Sequence, residues 1–438
     1  MPLLLAFLLS IILASIIIPR LGPFLSLIIS SLFFGLLSSM GPELLGYIYS
    51  GLARMFSSLA LVIFGGAVLA EYLRRTESLA RIVSDLGRLA KRSLLVSGAA
   101  GFLISLPVMC SITAFMILEP VVRALAAKDG ASRLAEKRAL FMTAVCSVIS
   151  FNLIYPSPVM ITLSTGLQAP HYSLLIRAIP ISLALFAFAC IIMPHIPLHG
   201  GESLPSGLAD GGEGAAPSGI KISRLRAWAP LLVPLLLMLA GALIEGGGSG
   251  KLSGPEGGGA ISPLWALEAI FTDPGLALLL GALLGLAWQR DKMSELIHVA
   301  SRRSGVILLD LCGAGAFGYV VSRSDLSGEI FRQGHILPVL LLPFLVSAVL
   351  QLAQGSRVVT AALAAQILAG YPLPAEILAL LIASGAFMLS YVSDPFFWLI
   401  KNATGSSLKE TAKAYTLPLS LMGLFAFALA AMISVFYN

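Results

Sequence analysis

An all-α polytopic membrane protein with an inverted-topology repeat is the fold class this sequence predicts, and three observations predict it. Of its 438 residues 58% are hydrophobic and 11% are charged, where a soluble domain keeps roughly 25% charged. The apolar runs are continuous over about 20 residues, the length that crosses a bilayer core as a helix. They do not alternate as barrel strands do. Finally, the order of elements in the first half of the chain recurs in the second.

Ten spanning helices are expected, at about 2–18, 21–40, 52–70, 139–167, 178–193, 228–244, 274–288, 305–322, 375–400 and 416–437. Residues 2–18 show neither a basic leader nor a small-residue cleavage pattern and are read as the first span. Two other apolar regions, 94–122 and 335–370, are read as re-entrant hairpins. The arms 94–105 and 111–122 around Leu106-Pro107-Val108-Met109-Cys110 each rise only about 18 Å, too short to cross. Both flanks of this region are basic, so it enters and leaves by one face. The second hairpin carries Gln351-Leu352-Ala353-Gln354-Gly355-Ser356-Arg357 at its middle. The division is then 1–193 for the first repeat, 194–227 for a cytoplasmic linker rich in Gly, Pro and Ser, and 228–438 for the second repeat. A Gly-rich loop is expected at 246–259.

Loop charge orients this arrangement. Of the 28 Lys and Arg, 22 fall in loops on one side, while Arg54, Arg177, Lys251, Arg323 and Arg332 make five on the other; Arg357 is left inside an apolar region. The positive-inside rule puts the 22 in the cytoplasm and both termini outside, for a multi-pass protein of the cytoplasmic membrane. The basic residues sit in short inter-helix loops, which excludes nucleic acid as a partner and leaves the lipid bilayer. Cys110, Cys146, Cys190 and Cys312 lie in apolar stretches without a C-x-x-C or Cys/His cluster, so no disulfide framework, metal or cofactor is expected. Membrane-enzyme motifs and a P-loop are also missing, which argues against an enzyme or a primary pump.

A weak internal repeat supports the two halves. Gly65-Gly66-Ala67, Arg75, Glu77 and Ile82 align with Gly313-Ala314-Gly315, Arg323, Asp325 and Ile330 at a constant offset of 248. Inverted repeats with broken helices at the midplane characterise secondary transporters. Here Pro156 and Pro158 interrupt 139–167, and Asp394-Pro395 interrupts 375–400, each removing helical hydrogen bonds. Unpaired backbone at membrane depth survives only inside protein or against a polar cavity. The candidate substrate-binding residues therefore lie at breaks and tips: Ser111, Thr113, Asn152, Ser157, Gln354, Gly355, Ser356, Arg357, Ser393 and Asp394. Arg357 suits a carboxylate or, alternatively, pairs with Asp394. Asp394 is the candidate cation-coupling group, and also fits as the N-cap of the half-helix that follows. Each small polar residue serves equally well to satisfy backbone. Asp310, Glu119 and the five histidines are expected near the interfaces, solvated. The function expected is symport of a small organic anion driven by H⁺ or Na⁺. A cation/proton antiporter is the alternative, and it would need more midplane acids than Asp394.

The sequence around these breaks resembles the gluconate permease family, as a divergent member, and more broadly the ion-transporter superfamily. The resemblance rests on Ser393-Asp394-Pro395-Phe396-Phe397-Trp398-Leu399-Ile400-Lys401, on Leu350 to Ser356, on Lys409-Glu410-Thr411 and, more loosely, on Tyr155-Pro156-Ser157-Pro158. It implies proton-coupled uptake of sugar acids such as gluconate, an elevator-type transport domain, and a scaffold domain that forms a homodimer. Tyr155 and Tyr391 stand where the family carries histidines. Gln351 replaces an arginine of the family, and Arg357 replaces a small residue.

Overall fold

Apolar runs broken by proline and glycine give a two-layer helical bundle. The computed structural model describes residues 2–89, 93–128, 132–198, 222–246, 273–334, 337–391 and 393–435. Parts of the expected linker (199–221) and of the Gly-rich loop (247–259) fall outside these residues. All regular structure among them is helical: α1 Leu3–Leu37, α2 Leu44–Arg75, α3 Ser78–Leu89, α4 Ser93–Val108, α5 Ser111–Lys128, α6 Arg133–Leu153, α7 Pro158–Leu167, α8 His171–Ile192, α9 Arg224–Gly246, α10 Pro274–Ala287, α11 Met293–Ser322, α12 Leu326–Gly334, α13 Leu341–Gln354, α14 Arg357–Ile367, α15 Ala375–Gly385 and α16 Pro395–Thr404. The last, α17 Leu408–Val435, contains a π-helical turn at Ala412–Thr416.

Seven helical stretches are long and apolar enough to cross a membrane among the described residues. They coincide with seven of the ten expected spans; those at 2–18, 274–288 and 375–400 appear as shorter apolar helices. The first two expected helices are joined end to end in α1, which breaks at Gly22 (φ 74°) before Pro23. Two further helices were not expected. α3 and α12 follow α2 and α11, and their first residues, Ser78 and Leu326, are 248 positions apart, the same offset as the sequence repeat.

α2 and α11 form the centre of one layer, with α1 and α10 packed on them and α9 on α10. They run antiparallel with backbones touching: a Cβ on Gly51 would lie 2.4 Å from the Gly315 carbonyl oxygen. The second layer holds both hairpins and both broken helices. α6 and α15 are its core, with every residue of α15 after Ala375 buried. α7 and α14 pack on one another, and α14 also packs on α11, joining the layers.

The loops read as lying on one side do meet. Arg75 of α2 pairs with Glu295 at 2.7 Å, Arg303 with Glu71 at 3.3 Å, Arg224 with Asp85 at 3.3 Å, and Lys137 with Glu410 at 3.4 Å. Arg123 reaches Glu136 and the Ala403 carbonyl. These contacts tie α2 to α11, α3 to α9, α6 to α17, and α5 to α6 and α16.

Candidate functional site at the second hairpin and second break

The first hairpin is longer-armed than expected: α4 continues through Pro107 to Val108, and the turn is Met109-Cys110, with Met109 at φ 56°. Its tip packs on α2, where a Cβ on Gly66 would lie 2.7 Å from Met109 Cγ. Gly66 precedes Arg75 by nine residues, so the tip stops about 14 Å from the basic end of α2. Ser111 is buried and Thr113 half-buried just past this turn. One turn further, the ring of Phe115 meets that of Phe396 at 5.5 Å, which brings the start of α5 beside the start of α16.

The first break runs through Ile154–Ser157. Ser157 caps α7 by accepting from the Met160 amide at 3.2 Å, and Pro158 occupies the first helical position, a favoured helix start. Asn152 is fully buried and donates through Nδ2 to the Ala383 carbonyl at 2.7 Å. This bond ties the first break to α15, just before the second. The ring of His171 stacks on Tyr155 at 4.8 Å, and its Nδ1 lies 2.7 Å from Ser164 Oγ. This histidine, at a helix end as expected, is half-buried and packed against the break. Asp310 likewise is half-buried and accepts from the Phe24 amide just past the α1 break.

The second hairpin tip and the second break meet directly. Gly355 has φ 68°, and a Cβ there would sit 1.9 Å from the Ser393 carbonyl oxygen. Only glycine serves both demands. The tip thereby delivers Arg357, the first residue of α14, to Asp394. The helix of the second break stops at Gly385, five residues ahead of the expected Ser390, where Gly385 closes on the Phe344 carbonyl. The described residues from Ala386 to Ser393 are non-helical, and Asp394 caps α16 by accepting from the Phe396 amide at 2.9 Å through Oδ1.

Around Arg357 the bonds converge. Its Nη2 donates to Ser390 Oγ at 2.8 Å, Asp394 Oδ2 at 3.2 Å and Tyr415 OH at 3.2 Å. The Tyr415 hydroxyl donates in turn to Asp394 Oδ2 at 3.0 Å. Arg357 is 5% exposed, Asp394 1% and Tyr415 0%, so this is an ion pair out of water, where partners must be complete. They are not complete. Arg357 Nε is buried without a hydrogen-bond partner, as are Gln354 Nε2, Ser393 Oγ and Asn152 Oδ1. Gln351 accepts from Thr360 Oγ1 at 3.0 Å and leaves its Nε2 unpaired. Buried polar atoms are rarely left so, and a group of them at one tip and the two breaks calls for an explanation.

Gln354, Gly355, Ser356, Arg357, Ser393 and Asp394 are therefore adjacent as the sequence predicts, and both readings of Asp394, cap and ion-pair partner, hold together. Asn152 joins them through α15. No hydrogen bond among the described residues links Ser111, Thr113 or Ser157 to the arginine. Ser390 and Tyr415 belong to the cluster and were not singled out by sequence.

A helical membrane protein whose hairpin tip and broken helix meet at a buried polar cluster has the architecture of a secondary transporter. Residues 1–436 match the family described as GntP family permease, and the chain belongs to that family. It is similar to the D-serine transporter DsdX of Escherichia coli K12, with 27% identity covering 90% of this chain and 89% of that one. It is also similar to the low-affinity gluconate transporter of the same strain, with 26% identity covering 92% and 91%. To the gluconate permease of Zymomonas mobilis it is 25% identical, covering 94% and 92%. Among solved structures, the YdaH transporter of Alcanivorax borkumensis has a similar fold, with TM-score 0.60 over 90% of each chain at 15% identity. The chain is a multi-pass membrane permease and not an enzyme.

Proposed function

We propose that this permease carries a small carboxylate whose charged end is held by Arg357, in symport with a cation taken up at Asp394. The observation that carries the reading is the incomplete Arg357–Asp394 pair between hairpin tip and break. The guanidinium has one carboxylate partner at 3.2 Å and an idle Nε. A substrate carboxylate binding that edge draws Arg357 from Asp394, and a buried carboxylate losing its partner is costly. Uptake of H⁺ or Na⁺ at Asp394 removes the cost, so substrate and cation favour each other's binding, which is what coupling requires.

Gluconate and D-serine, named for the relatives, each join a carboxylate to a carbon bearing a polar substituent. Ser393 Oγ, Gln354 and Asn152 Oδ1 are idle groups suited to such substituents, with Ser111, Thr113, Ser157, Gly355 and Ser356 as further lining. The second layer would move past the α2–α11 scaffold as an elevator, in a homodimer held by scaffold helices, with both termini outside.

The test is accumulation of radiolabelled gluconate and D-serine in proteoliposomes under imposed H⁺ or Na⁺ gradients. Uptake driven by one gradient and lost in Arg357→Gln supports the reading. Uptake indifferent to both gradients, or intact in Arg357→Gln, defeats it.

A further inference from the structure

The two ends of the antiparallel α2–α11 pair carry unequal charge sets. At the basic end Glu71 is fully buried and takes 2.6 Å contacts from Arg74 and Arg75, with Arg303 of α11 at 3.3 Å. The offset of 248 relates Glu71 to Tyr319 and Arg75 to Arg323. At the opposite end Tyr319 lies between two guanidiniums, Arg54 at 4.7 Å and Arg323 at 4.8 Å from its ring centroid. Arg323 donates to the Tyr319 hydroxyl and faces the ring of Tyr47, whose own hydroxyl donates to Glu43. Among the described residues neither Arg54 nor Arg323 has a carboxylate within ion-pair distance. One end thus has three arginines on a carboxylate; its counterpart has two arginines and a tyrosine in the carboxylate's place.

A cavity of about 310 Å³ opens at this second end, between α2 and α11 on one side and α7 and α14 on the other. Arg54, Tyr319, Thr162, Thr165, Gln168 and Gln366 are among its lining residues, and no acidic residue lines it. Thr162 is 4% exposed with Oγ1 unpartnered, and Gln366 Oε1 is buried and unpartnered too. A guanidinium at the mouth and an idle hydroxyl and amide oxygen inside match a carboxylate that also carries hydroxyls.

We propose that this cavity is a second anion site, separate from the Arg357 cluster, which takes a small hydroxy-carboxylate beside Tyr319, the position that Glu71 holds at the other end of the scaffold. That the ligand is the transported one rests on the reading of Arg357 given above. The site itself does not.

The experiment introduces T165C into the full chain in vesicles and labels it with membrane-impermeant thiosulfonates, anionic or cationic, with the parent chain and its four cysteines as background. Arg54 at the cavity mouth and Arg323 beside Tyr319 raise the anionic-to-cationic rate ratio about fivefold, and 500 mM salt removes the gain. R54Q/R323Q lowers the ratio to the same extent. Sodium gluconate slows the labelling of T165C, and does so equally in T165C/R357Q. A ratio insensitive to salt in T165C alone, a readout that needs no further variant to fold, overturns the proposal. So does gluconate protection that disappears with R357Q. Radiolabelled uptake is read in the same vesicles. Failed uptake with protection intact counts against the Arg357 reading and for a separate outer site.

Discussion

Removing the charge of Arg357 tests the cluster on stability and transport at once. In Arg357→Met the aliphatic stem is kept and the guanidinium lost. Asp394 then retains the Phe396 amide at 2.9 Å on Oδ1 and the Tyr415 hydroxyl at 3.0 Å on Oδ2, but no positive charge. Breaking a buried ion pair from one side costs about 3–5 kcal/mol, and these two surviving bonds place the expected cost near the lower end, about 3 kcal/mol. Asp394→Asn leaves the guanidinium with the hydroxyls of Ser390 and Tyr415 alone and should cost a similar amount. In the double variant no charge is stranded. It should be more stable than the sum of the singles predicts by at least about 2 kcal/mol. The assay is unfolding of purified protein in mixed micelles titrated with SDS, followed by tryptophan fluorescence. All three variants should lose uptake, since the double restores stability without restoring a carboxylate-binding cation. Single substitutions costing under about 1 kcal/mol, or strict additivity, would refute the claim that the pair is dry and mutually dependent.

Gly355→Ala places a Cβ 1.9 Å from the Ser393 carbonyl at φ 68°; a loss of at least about 2 kcal/mol and of uptake is expected, read by the same titration. Tyr415→Phe removes a hydroxyl bonded to both charges, costing about 1–3 kcal/mol and shifting the pH profile of uptake; an unchanged profile would detach Tyr415 from the coupling step. Ser157→Ala removes only a helix cap, so it should cost about 1 kcal/mol and leave the KM for uptake within about twofold, whereas a larger KM change would make Ser157 a substrate contact. Gly51→Ala sets a Cβ 2.4 Å from a backbone oxygen that cannot step aside; the α2–α11 crossing should open at a cost of about 1–3 kcal/mol, visible as a lowered SDS midpoint.

The bilayer makes spans legible, because a run that must hide every backbone group in lipid has to be apolar, helical and about 20 residues long. What lies outside that constraint was read less well. α3 is short and carries Arg81, Asp85 and Arg88, so a search for apolar runs passes over it. Its buried Leu79, Ile82 and Val83 and half-buried Leu86 do follow helical spacing, and that signal could have found it. α2 and α11 overrun their expected ends because charged residues there are paired, Glu71 with Arg74, Arg75 and Arg303. A charge with a partner in the next helix does not end a span, and the partner is invisible in one segment read alone.

The site divides in the same way. Proline, glycine and an isolated arginine mark the breaks and the second tip on the sequence itself, and Arg357, Gly355 and Asp394 meet as their chemistry demands. Tyr415 carries no such mark. It lies where the last apolar run begins, and a tyrosine at that place ordinarily reads as an interfacial anchor. The π turn at Ala412–Thr416 inserts an extra residue into the helical repeat. Side chains on the two sides of such a turn point differently from those of an uninterrupted helix, and here the result is a phenol buried at 3.2 Å from Arg357 and 3.0 Å from Asp394. Local propensity holds no term for that turn, since its backbone geometry is poorer than an α-helix's and is repaid only by bonds made elsewhere. The repayment is the third partner that a buried arginine–aspartate pair requires. A search for Tyr415 from sequence would therefore have had to begin at Arg357, by asking which neutral donor could sit on both members of the pair, and not at residue 415.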